Sequence, residues 1–139
     1  MINNALKRSI AFLLVLICCV WVSPTLAKEN SIEALKKAAE VDPNDYAPHF
    51  GLGQAYNNMG LYNRAIVEYL KTIELEPLFA AAHSGLGSSY GALARYEEAV
   101  DSFKEAIRLG PNYSDAQYGL GWTYTQLEEH EKAWQAPQI

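Results

Sequence analysis

Proton transfer or metal binding in this chain would fall to His49, His83 and His130 and to two acidic pairs, Glu97-Glu98 and Glu128-Glu129. Histidine titrates near neutral pH and ligates metals through a ring nitrogen, and neighbouring carboxylates can hold a proton between them. The spacing argues against both uses. His49 and His83 stand 34 residues apart with no second ligand at metal-binding distance in sequence. Both acidic pairs fall at expected helix starts, where negative charge favours the helix dipole. No nucleophile–base arrangement, phosphate-binding glycine loop or metal-ligand spacing occurs. The residues therefore predict a chain with no catalytic residues, no cofactor and no metal.

The interval that separates the two histidines runs through the whole sequence. Gly51-Leu52-Gly53 recurs as Gly85-Leu86-Gly87 and as Gly119-Leu120-Gly121. Tyr56, Tyr90 and Tyr124 keep the same step, as do Ala65, Ala99 and Ala133, and Pro43, Pro77 and Pro111. A fixed period of this length marks a stack of repeated supersecondary units.

Each unit carries two helical patterns. His83, Leu86, Gly87 and Tyr90 fall at i, i+3, i+4 and i+7, one face of a helix, and Ala99, Phe103 and Ala106 mark a second. Small residues at Gly87, Ala99 and Ala106 let two helices approach closely, and Tyr90 and Phe103 fill the space between them. Pro111 ends the second helix. Such a pair cannot cover its own outer apolar faces, so copies stack. In this frame His49 and His83 lie on the seam as hydrogen-bonded structural residues, and His130 takes the inter-helix turn position of Tyr62 and Tyr96.

The pattern resembles the tetratricopeptide repeat. Residues 80–113 match it as His83-x2-Leu86-Gly87-x2-Tyr90, then Ala99, Phe103, Ala106 and Pro111. Residues 46–79 give His49, Leu52, Gly53, Tyr56, Ala65, Tyr69 and Pro77, with Thr72 in place of the second alanine. The third copy gives Gln117, Leu120, Gly121, Tyr124 and Ala133. Two positions depart from the family pattern: His, His and Gln replace the first-helix Trp, and Pro137 replaces the third aromatic. The resemblance covers 31–136 and implies an all-α fold. Its form is an α-solenoid of antiparallel helix pairs wound into a right-handed superhelix.

At 139 residues the chain holds one domain at most. A net charge of −5 argues against the basic stripe that phosphate backbones require, so nucleic acid is not an expected partner. Residues 1–27 read as a secretory signal peptide. Lys7 and Arg8 precede an apolar run at 10–22, Pro24 breaks it, and Thr25 and Ala27 offer the small residues of a cleavage site. A run this short falls below the roughly 20 residues that span a bilayer. The alternative is an uncleaved N-terminal anchor, and membrane contact is expected only if 10–22 is retained. Cleavage removes Lys7, Arg8 and both cysteines (Cys18 and Cys19) but no acid, moving the net charge from −5 to −7. The expected location is the periplasm or another extracytoplasmic part of the envelope.

Residues 28–44 read as a capping helix, with Asn30 as N-cap and Pro43 as stop. It is the second half of a repeat whose first half is absent. Complete repeats follow at 46–79 and 80–113, with helices near 45–59, 63–76, 79–93 and 97–109. An incomplete third repeat follows at 114–139, read as a helix at 114–127 and a stub at 131–136. Asp45 and Asn112 are expected helix caps. The incomplete end predicts fraying, covered by self-association or a partner.

Opposite the seam, the first helices present a concave face. Its residues are Ala47, Phe50, Gly51, Gln54, Asn57 and Asn58; then Ala81, Ser84, Gly85, Ser88, Gly91 and Ala92; then Asp115, Tyr118, Gly119, Trp122, Thr125 and Gln126. Asp115 is the only charge among them. The carboxylate-binding members of the family carry Lys, Arg and Asn as a clamp in this groove; Gly51, Gly85 and Gly119 stand at the sixth position here, so that clamp is not expected. Interior helix glycines cost about 1 kcal/mol each relative to Ala. Their recurrence fits either a ligand lying close to the backbone or tight helix–helix packing. Expected groove residues are Phe50, Gln54, Asn58, Ser84, Ser88, Tyr118, Trp122 and Gln126, holding a neutral or apolar peptide. The resemblance implies a non-catalytic scaffold or assembly factor for a protein or peptide partner. The alternative is the docking or regulatory part of a larger enzyme.

Overall fold

The computed structural model describes the backbone of residues 24–135 and the side chains of residues 31–131. The expectations for the apolar run at 10–22 and for Cys18 and Cys19 lie outside the described residues. Among the described residues six helices follow in order: α1 Pro24–Val41, α2 Tyr46–Asn58, α3 Tyr62–Leu75, α4 Ala80–Ala92, α5 Tyr96–Leu109 and α6 Ser114–Gln135. The chain divides into two compact units, 1–34 and 35–139; the helix stack belongs to the second. There, each of α2 to α5 packs on the helix after it, and α2, α4 and α6 also touch in succession. The described residues thus form the expected all-α stack of antiparallel pairs.

Local sequence explains most of the boundaries. The Asp45 carboxylate accepts from the Ala47 N–H at 2.9 Å and caps α2, with Pro48 in the first turn. α1 begins at Pro24, a residue suited to a first turn. Asn30 is therefore inside α1 and does not cap it. Asn112 stands one residue outside the cap position of α6, which Tyr113 occupies.

The turn between paired helices needs left-handed backbone, at Gly60 (φ +74°) and Ala94 (φ +57°). Glu128 holds the same place in the third copy and is a good helix former. No break forms there: α6 runs unbroken to Gln135, in place of a helix at 114–127 and a separate stub. His130 consequently sits within a helix, its ring 6.4 Å from that of Tyr96.

The core turns on two aromatic rings and the glycines that receive them. Tyr69 of α3 and Phe103 of α5 are both buried. A Cβ at Gly53 would meet the Tyr69 ring at 2.7 Å, and one at Gly85 would meet it at 2.5 Å. Phe103 stands in the same relation to Gly87 at 3.0 Å and Gly119 at 2.4 Å. Each ring is thus gripped between the first helix of its own repeat and the first helix of the next. Gly51 receives Leu35 of α1 at 3.0 Å in the same way. The recurrence of Gly51, Gly85 and Gly119 is explained by helix–helix packing, so the reading of a ligand against the backbone falls away.

Polar side chains near the core are bonded. The Thr72 hydroxyl donates to Glu68 O at 2.8 Å, Ser102 to Glu98 O at 2.8 Å and Thr123 to Gly119 O at 2.7 Å. Among the described residues no buried side-chain polar atom lacks a partner. At the position where the family carries Trp, a side-chain nitrogen ties the second and third units to the carbonyl before them. His83 Nε2 lies 3.0 Å from Pro77 O, and Gln117 Nε2 donates to Pro111 O at 2.7 Å. His49 instead donates from Nδ1 to Glu68 Oε2 at 2.8 Å. His49 and His83 are thus held in the packing by these bonds, half-buried rather than fully enclosed.

Candidate functional site

Because α2, α4 and α6 lie side by side, their outward faces form one open groove of about 440 Å³. α2 contributes Phe50, Gln54 and Asn57; α4 contributes Ser84 and Ser88 among small residues; α6 contributes Asp115, Tyr118 and Trp122. Six of the eight residues expected from sequence line it: Phe50, Gln54, Ser84, Ser88, Tyr118 and Trp122. Asn58 and Gln126 do not. The helical turn carries Asn57 inward instead, and its side-chain oxygen lies 3.0 Å from the Ser89 hydroxyl. Asn58 is the exposed last residue of α2, and Gln126 lies one turn beyond Trp122.

The aromatic groups differ in how firmly they are held. Phe50 is half-buried, its ring 4.8 Å from Phe79 edge-on and 6.0 Å from Tyr69, and Phe79 packs in turn on Tyr46 at 5.2 Å. Trp122 leans back on the chain, 6.3 Å from the Tyr96 ring and within 3.3 Å of the space over Gly91, yet stays 44% exposed. Tyr118 is 78% exposed. One wall is therefore pre-set and the other presents aromatic surface to solvent.

The floor is the part the sequence reading missed. Tyr69 and Phe103, counted only as seam fillers, reach between the glycines and close the bottom of the groove. The signal was present: Gly85 and Gly119 each stand 16 residues after a core aromatic, one helix further along the stack. Burial, with the charge of Tyr113 as the lesser cause, pushes the Tyr69 hydroxyl up to about 12. It stays a neutral donor at any physiological pH. Among the described residues that line the groove, Asp115 is the only charged side chain, and no Lys, Arg or His is among them. Among the described residues no cluster of His, Cys, Asp or Glu could hold a metal, and no helix is long and apolar enough to cross a membrane. The groove can offer apolar contact, ring faces and neutral hydrogen bonds.

Family models described as tetratricopeptide repeat match residues 34–67, 58–112 and 84–136. Among solved structures, a crystal structure of MamA aligns with a TM-score of 0.67 at 37% identity, over 73% of this chain and 60% of that one. The chain thus spans about 60% of the length of that relative. YrrB, described as a TPR protein with an unusual peptide-binding site, aligns with a TM-score of 0.65 at 32% identity, over 73% of this chain and 53% of YrrB. The second TPR domain of human RPAP3, in complex with the HSP70 peptide SGPTIEEVD, shares the fold with a TM-score of 0.67 at 21% identity, over 70% and 81% of the two chains. A search among curated proteins gives no match.

Proposed function

The chain belongs to the tetratricopeptide repeat family, and from that premise we propose that it is a non-catalytic interaction module that holds a peptide segment of a partner protein in the groove of α2, α4 and α6. The observation that carries this is the groove itself: open, aromatic at both walls, and lined by one charge. The peptide-binding site named for YrrB and the bound peptide of RPAP3 support the use of such a fold for peptides.

The lining favours a neutral segment with apolar or aromatic side chains. The RPAP3 ligand ends in Glu-Glu-Val-Asp, whereas the only charge here is the carboxylate of Asp115, which repels such a tail. Gln54, Ser84, Ser88 and Asn57 can pair with a peptide backbone while Phe50, Tyr118 and Trp122 take side chains. With no clustered charge to steer it, binding depends little on salt. The signal-like residues 1–27 support a role outside the cytoplasm, as a scaffold or assembly factor of the envelope, released by cleavage or held by an uncleaved anchor.

Titration with two synthetic peptides of equal length, one neutral and aromatic and one acidic-tailed, tests the groove. The neutral peptide binds more tightly, Trp122→Ala weakens it by about 2 kcal/mol or more, and Lys104→Ala on α5 changes nothing measurable. A preference for the acidic peptide, or binding indifferent to Trp122→Ala, overturns the reading. Intact mass of the exported protein tests the location: a chain that starts at Lys28 supports it, and retention of Met1 shows an anchor.

A further inference from the structure

We propose that the α6 wall of the groove is a seat for one arginine side chain of the partner segment, formed by Asp115, Tyr118 and Trp122. This seat belongs to the peptide groove proposed above and stands only if that groove binds a peptide. The three residues fall at i, i+3 and i+7 of α6, so they share one face of the helix, and all three line the groove. Their frame positions are those of Ala81, Ser84 and Ser88 in α4, which touches both α2 and α6 and turns the same face to the groove. The α6 face is thus a groove face by its place in the frame. At these positions α2 carries Ala47, Phe50 and Gln54. Only α6 combines a carboxylate with two rings.

Among the described residues no cation answers the Asp115 charge. Asp115 is exposed, and the ion pairs join His49 to Glu68, Lys71 to Glu74, Arg95 to Glu98 and Arg108 to Glu105. A place in the first turn of α6 explains a carboxylate, since negative charge favours that end of a helix. It does not explain the two exposed rings that follow on the same face. Trp122 is braced from behind by Tyr96 and by the helix at Gly91. Opposite them α4 carries only small side chains, which leave room for a long one.

Aromatic faces attract cations. A guanidinium is flat, stacks on a ring and offers paired donors that match a carboxylate, whereas a lysine ammonium is a hydrated point charge. At about 1.5 Å of rise per residue, Asp115 lies about 4.5 Å along the axis from Tyr118 and about 10.5 Å from Trp122. An arginine that enters beside Trp122 lays its apolar stem on the indole and brings its head over Tyr118 and against Asp115. The groove holds one charge, so a single arginine in an otherwise neutral segment balances it.

Titration of the full chain with the neutral aromatic peptide tests the seat, using versions that carry Arg, Lys, Gln or Glu at each position in turn. At one position the Arg peptide binds at least about threefold more tightly than the Gln peptide, with Lys between them. Asp115→Asn removes that preference, Tyr118→Leu reduces it, and Asp115→Arg turns it toward Glu at the same position. Should Asp115→Arg lose helix content, Asp115→Lys is read in its place. Lys104→Ala, outside the groove, leaves the preference as it is. Each variant is compared with itself across peptides, so a change in stability does not imitate a change in preference. A gain from Arg that is absent or equal at every position, that survives Asp115→Asn, or that Lys exceeds overturns the proposal and leaves the peptide groove standing. Failure of every peptide to bind, the neutral one included, overturns both.

Discussion

Gly87 and Gly121 hold the same place in successive units, each two residues after a glycine and one after a leucine, yet they have opposite surroundings. Gly87 lies 3.0 Å, measured from a Cβ site, from the Phe103 ring; Gly121 faces open space. Nothing in the local sequence of the two differs in kind. The difference comes from 16 residues further on, where Phe103 follows the first and Pro137 follows the second. A glycine in a repeat is a receptacle, and whether it is filled depends on the helix that comes after.

The largest test of that comparison removes the filler. Phe103→Ala empties the space between Gly87 and Gly119 and lowers stability by about 3–5 kcal/mol in denaturant unfolding. A loss below about 1 kcal/mol would mean that the ring is not the core of the stack. Overfilling comes next. Gly119→Ala places a methyl 2.4 Å from the Phe103 ring and costs about 1–3 kcal/mol, read from the same titration.

A pH effect should follow from the other ring. Burial disfavours the Tyr69 anion and pushes its hydroxyl from the ordinary 10.0 up to about 12. The unfolded chain therefore loses that proton first. The contribution of Tyr69 is whole below pH 10 and falls away as pH rises from about 10 to 12. Tyr69→Phe flattens the decline of the denaturant midpoint over that window; a decline unchanged in the variant shows that another group sets it. A smaller effect has the opposite sign. Gly121→Ala, measured at dilution, gains helix propensity without a clash and raises stability by roughly 0.5–1 kcal/mol. Ser88→Ala, exposed on the groove side, stays within about 0.5 kcal/mol of wild type.

The repeat frame, the helix pairs and most of the groove were legible in the sequence because they rest on period and face. Phe50, Gln54, Ser84, Ser88, Tyr118 and Trp122 all reach the groove because a helical face is set by spacing alone. What was not legible depends on a neighbour one helix away. Gly85 and Gly119 line the groove as read and Gly51 does not, but the rings of Tyr69 and Phe103 that press on the first two were hidden, since periodicity fixes the direction of a residue but not which helix approaches it. Asn57 and Asn58 both read as concave-face positions, but only Asn57 lines the groove, and the hydrogen bond it accepts from Ser89 crosses to another repeat. The unbroken α6 was hidden for another reason. The frame implied a turn at Glu128, but a turn needs the left-handed backbone of Gly60 and Ala94, and a glutamate among helix formers does not supply it.

Because each buried ring is shared by two glycines from different repeats, a repeat cannot open alone. Melting either of α3 or α5 strips a neighbour of its filling, so the nearest-neighbour term outweighs the stability of any single pair. The centre of the stack should then rupture as one block, with no stable state in which one pair has opened. α1 is the exception: Leu35 grips one glycine with a branched aliphatic tip where a ring elsewhere grips two. Under mechanical load or protease attack the row should come apart from α1 inward, link by link only at its margin and all at once beyond it.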